Sequence, residues 1–559
     1  MKATDAIIRL LQRHGIDRVF GYPGGTIMPL YDSLSGSGVE HVLCRHEQGC
    51  AFAANGYARV SGKAGVCLAT SGPGATNLIT GVADAHRDSV PMVVITGQVA
   101  SAMIGTDAFQ ETDMLGMTLD IVKHSYLVTE ADDLPGVLEE ALRLATSGRP
   151  GPVWIDLPKD IQAADVTLAP AVSGTQRDNT NGARDSRAVL EALRTAQRPI
   201  LYSGGGVTIA SAENALRRFA EVSGIPSVVT LKGLGNTGRH DPWHLGMIGM
   251  HGSPAANLAT DECDLLFVVG ARLDDRATGE IPTFAPNARL IHLDADPAEL
   301  HKLRRADIGL NGSPAPVLER LTEALSEEPL AIGHWQQQCR QWQKQYRAAS
   351  HCSDIITGPA FLRTLSGTAP DELIIACDVG QHQMWVAQHY AFSHPRDHLT
   401  SGGLGAMGFG LPAAMGAAYA LPGRRVLNLT GDGSFMFNLQ ELATIRRDNL
   451  NVGVVIMDNE CLGMVRQHQE LFFNDRESAI GLDDNPDFTA IARGFGIPAA
   501  SISHPDEMEA GIDQLLNTQG PFLLHVMVPR EDNVWPMVRP GGSNRHMIHS
   551  NRDNRETLS

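Results

Sequence analysis

The 559-residue chain lacks two features that mark particular classes of protein. It has no block of Lys or Arg, and its 45 basic residues are outnumbered by 63 acidic ones, which gives a formal net charge of −18. We therefore expect no nucleic-acid partner, because binding to phosphates needs clustered positive charge. The chain also has no long apolar run and no cleavage site near its start. We expect neither a membrane span nor a signal peptide.

Cysteine is present, but its spacing shows no pattern. The chain has no C-x-x-C pair and no His-rich stretch beside a cysteine, which are the patterns that zinc sites commonly show. Scattered cysteines favour reduced thiols over disulfides, and therefore a cytoplasmic protein. The eight cysteines are at positions 44, 50, 67, 263, 339, 352, 377 and 461.

Short apolar segments alternate with helical patterns along almost the whole chain. This alternation is typical of parallel sheets covered by helices, and the length suggests about three or four domains. We predict the α/β class, with three doubly wound parallel-sheet domains. The predicted buried strands lie in RVFGYPGG, GVCLATSGPGATN, PMVVITG, GPVWIDLP, PILYSGGG, PSVVTLKG, CDLLFVVGARLDDR, ARLIHLDADP, LIIACDVGQHQMW, RRVLNLTGDGSF, VGVVIMDNE and PFLLHVMV.

Polar stretches divide the chain into these units. The stretch LAPAVSGTQRDNTNGARDSR has no periodicity and is rich in turn-forming residues, so we interpret it as a linker. A second, polar and helical connector follows the middle unit. The predicted organisation is a first domain over 1–165, a linker over 166–187, a second domain over 188–328, a connector over 329–354, a third domain over 355–535 and a tail over 536–559.

One glycine motif is misleading. GLGAMG, at positions 403–408, fits the G-x-G-x-x-G pattern of dinucleotide-binding proteins. That pattern has meaning only where a strand leads into it. The preceding HPRDHLTSG is polar and contains Pro, so we predict no strand there and reject a nicotinamide site.

Two strand ends predict a metal site. Asp432 and Asn459 each come directly after a predicted buried strand. Adjacent parallel strands joined by one helix bring their carboxyl ends together, so that one ion can contact both side chains. Mg²⁺ prefers oxygen ligands, takes one or two carboxylates and completes its shell with carbonyls, water and phosphate. We predict that Asp432, Asn459 and a backbone carbonyl at Cys461 bind Mg²⁺ beside a diphosphate.

GDGSF followed by DNE resembles the diphosphate-binding motif of thiamine-diphosphate enzymes. Other motifs extend the resemblance, in order and over nearly the whole chain, to the catalytic subunits of the acetohydroxyacid synthase (acetolactate synthase) family. The resemblance implies the three-domain fold of the pyruvate oxidase-like thiamine-diphosphate enzymes. The motifs are GYPGGTIMPLYD, CRHEQGCAFAANGYAR, TSGPGATNLITGVADA, IGTDAFQETD, SGRPGPVWIDLPKDIQ, LGMIGMHG, GARLDDRATG, DVGQHQMW and TSGGLGAMGFGLPAAMGAA.

The resemblance gives Glu47 a role. This acid stands where the family places the glutamate that hydrogen-bonds the aminopyrimidine ring of thiamine diphosphate and so promotes loss of the proton from the reacting thiazolium carbon. The apolar residues that follow Glu47 suit that role, because a low dielectric strengthens the contact and keeps water away. By the same resemblance Gly25, Phe109 and Gln110 approach the reacting carbon.

Other positions are implied contacts of thiamine diphosphate. Met407 would hold the cofactor in its bent shape, so the GLGAMG glycines would serve this cofactor. Packing or turn roles are the alternative, above all for the glycines and Val379, since polar residues on loops are more often functional. The implied contacts are Pro73 and Asn77 on the ring side, and Val379, Gly380, Gln381, His382, Gly405, Met407, Gly431, Gly433, Ser434 and Met464 on the diphosphate side.

The middle domain resembles the FAD-binding domain of the family. Glycines admit a pyrophosphate, Arg272 supplies a permanent cation, and an acid after a strand can hold a ribose hydroxyl. Asp274 and Arg276 could instead pair with each other on the surface. The implied FAD contacts are Gly204, Gly205, Gly206, Thr230, Leu231, His251, Gly270, Arg272, Asp274, Arg276 and Asp294.

The resemblance also implies substrates and partners. Pyruvate would be decarboxylated, and the remaining two-carbon unit joined to a second pyruvate or to 2-oxobutyrate, in the biosynthesis of valine, leucine and isoleucine. Active sites between subunits imply a homodimer or homotetramer, and a small regulatory subunit is expected. A pyruvate oxidase-like flavoenzyme, a flavin-free synthase and a catalytically silent regulatory relative are the alternatives. The implied substrate contacts are Lys123, Arg276, Val465 and His468.

His468 is the one clear departure from the family pattern. Members that favour 2-oxobutyrate usually carry Trp at this position, one helical turn beyond Met464 and on the same face. A large indole presses on the additional methyl group of that acceptor, and such a contact is worth about 1 to 3 kcal/mol of discrimination. We therefore expect a weaker preference for 2-oxobutyrate, unless His468 only faces solvent and a neighbour fills the gap.

Overall fold

Three six-stranded parallel sheets follow one another along the chain in the computed structural model, which describes residues 1–168, 186–346 and 354–551. This confirms the predicted fold class. Most of the first predicted linker (residues 169–185), part of the second connector (347–353) and the end of the predicted tail (552–559) lie outside the described residues. Across the described segments, we find no helix that is both long and apolar enough to cross a membrane.

The N-terminal sheet has the strand order β2-β1-β3-β4-β6-β5. Its inner strands are fully buried where helices cover both faces, which is why they read as continuous apolar runs. The strands are β1 (Arg18–Gly21), β2 (Glu40–Leu43), β3 (Gly65–Ala69), β4 (Met92–Gln98), β5 (His124–Leu127) and β6 (Pro152–Pro158). The helices are α1 (Ala3–Arg13), α2 (Met28–Leu34), α3 (Glu47–Ser61), α4 (Pro73–Asn77), α5 (Ile79–Arg87), α6 (Met114–Thr118), α7 (Leu134–Thr146) and α8 (Lys159–Ala163).

The central sheet has a different order, β12-β11-β10-β7-β8-β9. Counted from its own first strand this is 3-2-1-4-5-6, the order of doubly wound dinucleotide-binding domains. The strands are β7 (Pro199–Ser203), β8 (Ser227–Val229), β9 (His244–Met247), β10 (Leu265–Val269), β11 (Arg289–Asp294) and β12 (Ile308–Asn311). The helices are α9 (Ser186–Thr195), α10 (Gly205–Ile209), α11 (Glu213–Ser223), α12 (Pro254–Glu262), α13 (Asp275–Thr278), α14 (Pro314–Glu327) and α15 (Gly333–Gln345).

The C-terminal sheet, β14-β13-β15-β16-β18-β17, repeats the strand order of the N-terminal one. The strands are β13 (Ile374–Cys377), β14 (His398–Thr400), β15 (Val426–Gly431), β16 (Val452–Asp458), β17 (Ala499–Ile502) and β18 (Phe522–Met527). The helices are α16 (Gly358–Thr368), α17 (Gln381–His389), α18 (Gly410–Ala420), α19 (Asp432–Phe435), α20 (Leu442–Arg447), α21 (Gly463–Phe472), α22 (Phe488–Gly494) and α23 (Met508–Asn517).

Two segments that the sequence analysis placed outside the domains pack on the central domain. Trp335 of α15 is buried, and its indole N–H donates to the Pro199 carbonyl at 3.0 Å. Near the C-terminus, β19 (Met537–Val538) and β20 (Met547–Ile548) form an antiparallel pair, and Asn544 between them donates to the Ala277 carbonyl at 2.8 Å. The predicted domain boundaries stay predictions, but α15 is part of the central domain's packing.

The N- and C-terminal domains meet through α3 and α18. Both helices are rich in Ala and Gly, and both are almost fully buried. A β-carbon at Gly56 would clash with the Ala413 carbonyl, and one at Gly416 would clash with the Ala53 carbonyl. Glycine at these two positions therefore allows the backbones of the two helices to touch. Helix α3, which begins with Glu47, therefore packs in direct contact with the C-terminal domain.

Candidate active site

A cavity of about 1100 Å³ is lined by residues of all three domains. It is lined by the loops that follow β7 and β10 on one side and by the loops that follow β13 and β15 on the other. These are the points where the strand order of each sheet reverses, and ligands of open α/β sheets bind at such points. Its volume exceeds that of one ordinary small-molecule site, and its two ends, one in the C-terminal domain and one in the central domain, have different linings.

The metal-binding residues expected from the sequence meet at the end of this cavity that lies in the C-terminal domain, here called its C-terminal end. The strands β15 and β16 are neighbours, with Gly431 opposite Met457, so that Asp432 and Asn459 emerge side by side. Asp432, Asn459 and Cys461 all line the cavity. The first two are buried, Asp432 at 3% and Asn459 at 8% exposure, which limits competition from bulk water.

A second carboxylate lies beside Asp432. Asn485 donates to Asp432 Oδ2 at 2.9 Å and to Asp458 Oδ1 at 3.2 Å, and His525 Nε2 lies 2.9 Å from Asp458 Oδ2. Burial and the neighbouring charge of Asp458 raise the pKa of Asp432. Two carboxylates in a dry site repel each other, and a bound cation would relieve that repulsion.

The donor set suits Mg²⁺ only in company with another ligand. In the described part of the chain, no group of three His, Cys, Asp or Glu side chains could hold a metal by itself. One carboxylate, one amide oxygen and one carbonyl leave positions free in an octahedral shell, which phosphate oxygens and water commonly fill. The residues therefore fit a magnesium ion that arrives with a diphosphate.

An unpaired imidazole nitrogen lies at the same end of the cavity. Burial lowers the pKa of His382 to about 4, so the ring is neutral at physiological pH. Its Nε2 is buried and has no hydrogen-bond partner among the described residues. Beside it, Ser434 Oγ donates to the Val379 carbonyl at 2.8 Å. A buried polar atom without a partner carries an energetic cost, which a ligand oxygen at this place would remove.

The GLGAMG segment contributes to the same end. Contrary to our prediction, a short strand, β14, leads almost directly into it. However, β14 is an edge strand of the C-terminal sheet, and the N–H groups of Gly408 and Gly410 donate to Asp378 at 2.9 and 3.1 Å. Those N–H groups are thus unavailable to a pyrophosphate. Gly405 and Met407 line the cavity.

The other end of the cavity is built on close backbone contacts in the central domain. Gly206 N donates to the Gly270 carbonyl at 2.9 Å, and a β-carbon at Gly204, Gly206 or Gly270 would overlap the facing loop. This close approach requires glycine on both loops. Most of the FAD contacts expected from the sequence line the cavity, namely Gly205, Gly206, Thr230, Leu231, His251, Gly270, Arg272, Asp274, Arg276 and Asp294.

The polar groups at the central end of the cavity form few hydrogen bonds with one another, as expected for groups that contact a ligand. Burial raises the pKa of Asp294, the last residue of β11, to about 6. Thr230 Oγ1 and His251 Nδ1 are buried without a hydrogen-bond partner among the described residues. Asp274 accepts the backbone N–H groups of Arg276 and Ala277 at 3.2 and 3.3 Å, so it caps α13 instead of pairing with the Arg276 side chain.

The residues expected to contact the cofactor ring form a separate group in the N-terminal domain. Glu47 is the first residue of α3 and is 9% exposed, and its Oε2 accepts from Asn77 Nδ2 at 3.0 Å. Gln110 has a left-handed backbone (φ +62°), and a β-carbon at Gly72 would lie 2.9 Å from the Gln110 β-carbon. The neighbouring Phe109 is 87% exposed, an unusual state for a large apolar side chain.

Within one chain, this group does not line the large cavity. None of Gly25, Phe109, Gln110, Glu47, Pro73 and Asn77 contributes to its walls. The residues around Glu47, here called the acid group, therefore lie outside the cavity that Asp432, Asn459 and Cys461, the metal group, line in the same chain.

The comparisons with known proteins agree with this geometry. Three family models match: the thiamine pyrophosphate enzyme N-terminal TPP binding domain over residues 1–117, the central domain over 186–321, and the C-terminal TPP binding domain over 378–526. The chain is 51% identical to the acetolactate synthase isozyme 2 large subunit of Escherichia coli (strain K12), over 98% of this chain and 99% of that protein. The chain belongs to the acetolactate synthase large-subunit family.

Family members from other lineages are also similar. The acetolactate synthase large subunit of Parasynechococcus marenigrum (strain WH8102) is 46% identical over 97% of this chain and 90% of its own. The probable acetolactate synthase large subunit of Methanocaldococcus jannaschii is 42% identical over 97% of this chain and 94% of its own. The similarity thus extends over nearly the full length of each pair of chains.

The substrate residues expected for an acetolactate synthase are divided by the structure. Arg276, Val465 and His468 line the cavity. His468 is half-buried, packs edge-on against Phe472 at 5.5 Å, and has its pKa lowered by burial and by Arg276. It therefore does not merely face solvent. Met464, expected at the cofactor, lines the cavity one turn earlier on α21.

Lys123 lies elsewhere. Its ammonium group donates to the Leu144 and Ser147 carbonyls at 2.5 and 2.7 Å, at the C-terminal end of α7, and it does not line the cavity. Cations stabilise helix C-termini, so this position has a structural explanation. A role of Lys123 in substrate binding stays a prediction.

Sequence reasoning did not assign two acids of this site. Asp378 follows β13 directly and holds the Gly408 and Gly410 N–H groups, and burial raises its pKa to about 6. Asp458 ends β16 and shares Asn485 with Asp432. The available signal was the same in both cases, because each acid stands at the end of a predicted buried strand.

Proposed function

We propose that this chain is the catalytic subunit of an acetolactate synthase that decarboxylates pyruvate and joins the remaining two-carbon unit to a second 2-oxo acid, pyruvate or 2-oxobutyrate. This reaction belongs to branched-chain amino acid biosynthesis. The single observation that carries the proposal is the joint presence of a buried Glu47–Asn77 pair and a cavity containing Asp432 and Asn459, on a chain 51% identical to an acetolactate synthase large subunit.

The C-terminal end of the cavity would hold the diphosphate of thiamine diphosphate. When bound, this cofactor supplies the carbon nucleophile that decarboxylation of a 2-oxo acid requires. Asp432, Asn459 and the Cys461 carbonyl would bind Mg²⁺, and the unpaired His382 Nε2 would contact a phosphate oxygen. Met407 would contact the cofactor from the wall of the cavity.

Glu47 would hold a proton at its carboxyl group and share it with a ring nitrogen of the cofactor. The Asn77 amide fixes one oxygen, Oε2, and leaves Oε1 for the ring. Because the group is 9% exposed, water competes little for that hydrogen bond. Removal of water also protects the reacting carbon from protonation by solvent.

The central end of the cavity would hold FAD. Its sheet has the strand order of dinucleotide-binding domains, and the glycine loops after β7 and β10 meet where that order reverses. Asp294, at the end of β11, would accept a ribose hydroxyl. In the family the flavin performs no net redox step in this reaction, a property that the resemblance alone implies.

The second 2-oxo acid would be bound by Arg276 and His468. The guanidinium group of Arg276 suits a carboxylate, and its exposed side chain has a loose contact with Asp275 at 3.8 Å and a hydrogen bond to the Met250 sulfur at 3.6 Å. His468 lies on the facing helix α21 and would contact the acceptor's alkyl group.

The active site would be completed by a second copy of the chain. The acid group and the metal group of one chain face different regions, so the Glu47 of one subunit would meet the metal site of another. This arrangement requires a homodimer or homotetramer. The relatives are named as large subunits, so we also propose a separate small regulatory subunit and, from the reduced cysteines expected above, a cytoplasmic location.

The decisive experiment is product analysis with pyruvate and 2-oxobutyrate in competition, with each cofactor omitted in turn. We expect acetolactate and acetohydroxybutyrate, formed only when thiamine diphosphate, Mg²⁺ and FAD are all present. Formation of peroxide or reduction of a quinone without acetolactate would identify an oxidase instead. Absence of any turnover with all three cofactors bound would indicate a silent relative.

A further inference from the structure

A buried acid from the C-terminal domain lies directly beneath the start of α3. Glu441 ends the 3₁₀ turn Leu439–Glu441 and has no solvent exposure. Its Oε1 accepts the backbone N–H of Arg45 at 2.8 Å, two residues before Glu47. Its Oε2 is buried without a hydrogen-bond partner among the described residues. No step of the proposed reaction uses this carboxyl group.

The contact is part of a wider clamp on the same segment. On one side of Glu441, Asn438 donates to Gln48 Oε1 at 3.2 Å. On its other side, Thr444 Oγ1 donates to the Leu43 carbonyl at 2.9 Å. Three residues within one seven-residue stretch of the C-terminal domain thus contact the segment 43–48, which connects β2 to α3.

The fit around Glu441 excludes a larger neighbour. A β-carbon at Gly49, in the first turn of α3, would lie 2.5 Å from Glu441 Oε1. Gly49 therefore has a steric reason to be glycine, because the carboxyl group packs against the helix backbone at that point. Burial raises the pKa of Glu441 to about 7, against the opposing effect of the Arg45 and His46 N–H groups.

Glu47 depends on this segment for its position. Asn77 holds the Glu47 side chain. However, Glu47 is the first residue of α3, so the position of its backbone depends on the loop before the helix. Groups that act on a reacting atom must be held within about 0.5 Å of their productive position. The clamp provides that restraint from a different domain.

We propose that Glu441 is a positioning residue for Glu47. The buried carboxyl group of Glu441 fixes the start of α3, and so sets the position and direction of the Glu47 carboxyl group. The proposal rests on the proposed function, since it assigns Glu47 the contact with the ring of thiamine diphosphate. It adds a residue outside the cofactor contacts and makes the C-terminal domain responsible for the geometry of the N-terminal acid.

The test measures how fast the proton on the reacting carbon of bound thiamine diphosphate exchanges with deuterium, together with kcat and thermal unfolding of the holoenzyme. Glu441→Ala is expected to slow exchange about 10- to 100-fold, because a displacement of about 1 Å can cost this much. Glu441→Gln keeps an acceptor at Oε1 and is expected to retain most of the rate. Gly49→Ala is expected to slow exchange like Glu441→Ala, although Ala normally favours a helix.

A matched control separates positioning from stability. Asp264, in the central domain, is likewise a carboxylate that accepts backbone N–H groups, those of Gln197 and Arg198, both at 2.9 Å, and it does not line the cavity. Asp264→Asn is expected to lower the unfolding temperature without changing the exchange rate. If Glu441→Ala does not fold, Gly49→Ala decides the matter.

A double variant distinguishes action through Glu47 from a general effect. With Glu47→Gln in place, Glu441→Ala should produce little further loss, because residues acting through one group are not additive. Full additivity, a wild-type exchange rate in Glu441→Ala or Gly49→Ala, or an equal loss in Asp264→Asn would overturn the proposal. Wild-type exchange in Glu47→Gln alone would refute the role of Glu47 itself, and this proposal with it.

Discussion

The N- and C-terminal sheets have the same strand order, but the loops at their reversal points differ in character. After β1 and β3, the loops of the N-terminal sheet bind each other: Thr26 Oγ1 lies 2.9 Å from Thr70 Oγ1 and 3.1 Å from Ser71 Oγ. After β13 and β15, the loops of the C-terminal sheet line an open cavity and include the unpaired His382 Nε2.

This difference separates two tasks that one cofactor requires. The N-terminal domain presents an acid that is already oriented by Asn77, whereas the C-terminal domain presents His382 Nε2, which has no hydrogen-bond partner within the described part of the chain. Identical strand order therefore does not determine the chemistry of a sheet; the residues on its loops do.

The largest effect is expected on kcat, from substitution of Glu47. Glu47→Gln should retain the fold and cofactor binding but lower kcat by about 10² to 10⁴, because a neutral amide cannot supply the proton. Glu40→Gln, at an exposed acid of the same domain, serves as the control. Near-normal kcat in purified Glu47→Gln would remove this residue from the mechanism.

A smaller effect, on binding, is expected from the metal half. Asp432→Ala should weaken the binding of thiamine diphosphate and of Mg²⁺ together, by about 10- to 100-fold, since the metal joins the protein to the diphosphate. Titration of the cofactor at several Mg²⁺ concentrations measures this, with the exposed Asp483→Ala as control. An affinity that is independent of both Asp432 and Mg²⁺ contradicts the proposed site.

The smallest effect concerns the choice of acceptor and tests whether the C-terminal domain contacts the second 2-oxo acid through His468. His468→Trp should raise the ratio of acetohydroxybutyrate to acetolactate under competition by about tenfold, which corresponds to about 1.4 kcal/mol and lies within the range of about 1 to 3 kcal/mol that such a contact is worth. Activity with pyruvate alone should change less. Gln469→Trp, next along α21 but not on the cavity, is the control. An unchanged product ratio, or wild type already strongly selective for 2-oxobutyrate, speaks against the role of His468.

Sequence reasoning found the inner strands and missed the edges. All twelve strands predicted from apolar runs are inner strands of the three large sheets. The edge strands of those sheets, β2, β5, β9, β12, β14 and β17, were not predicted, and neither was the short pair β19 and β20. Inner strands of parallel sheets are covered on both faces and read as continuous apolar runs. Edge strands are three or four residues long and mostly half-exposed, so their sequences resemble loops.

The site was predictable where a residue follows a buried strand. Asp432 and Asn459 could be paired in this way, because adjacent strand ends must lie together. Glu441 could not, since it sits on a 3₁₀ turn and acts through contacts with residues about 400 positions earlier, which no local pattern encodes. The resemblance supplied Glu47, and the structure supplied the fact that it lies apart from the metal group.

The most direct test of this account is complementation between two inactive variants. Glu47→Gln retains an intact metal half and Asp432→Ala an intact acid half, so a mixed dimer would contain one complete site if the halves meet between subunits. Random reassociation makes about half of the dimers mixed, which predicts recovery of about one quarter of wild-type activity. Activity no greater than the average of the two separate variants would show that each site is built within one chain and would contradict the account.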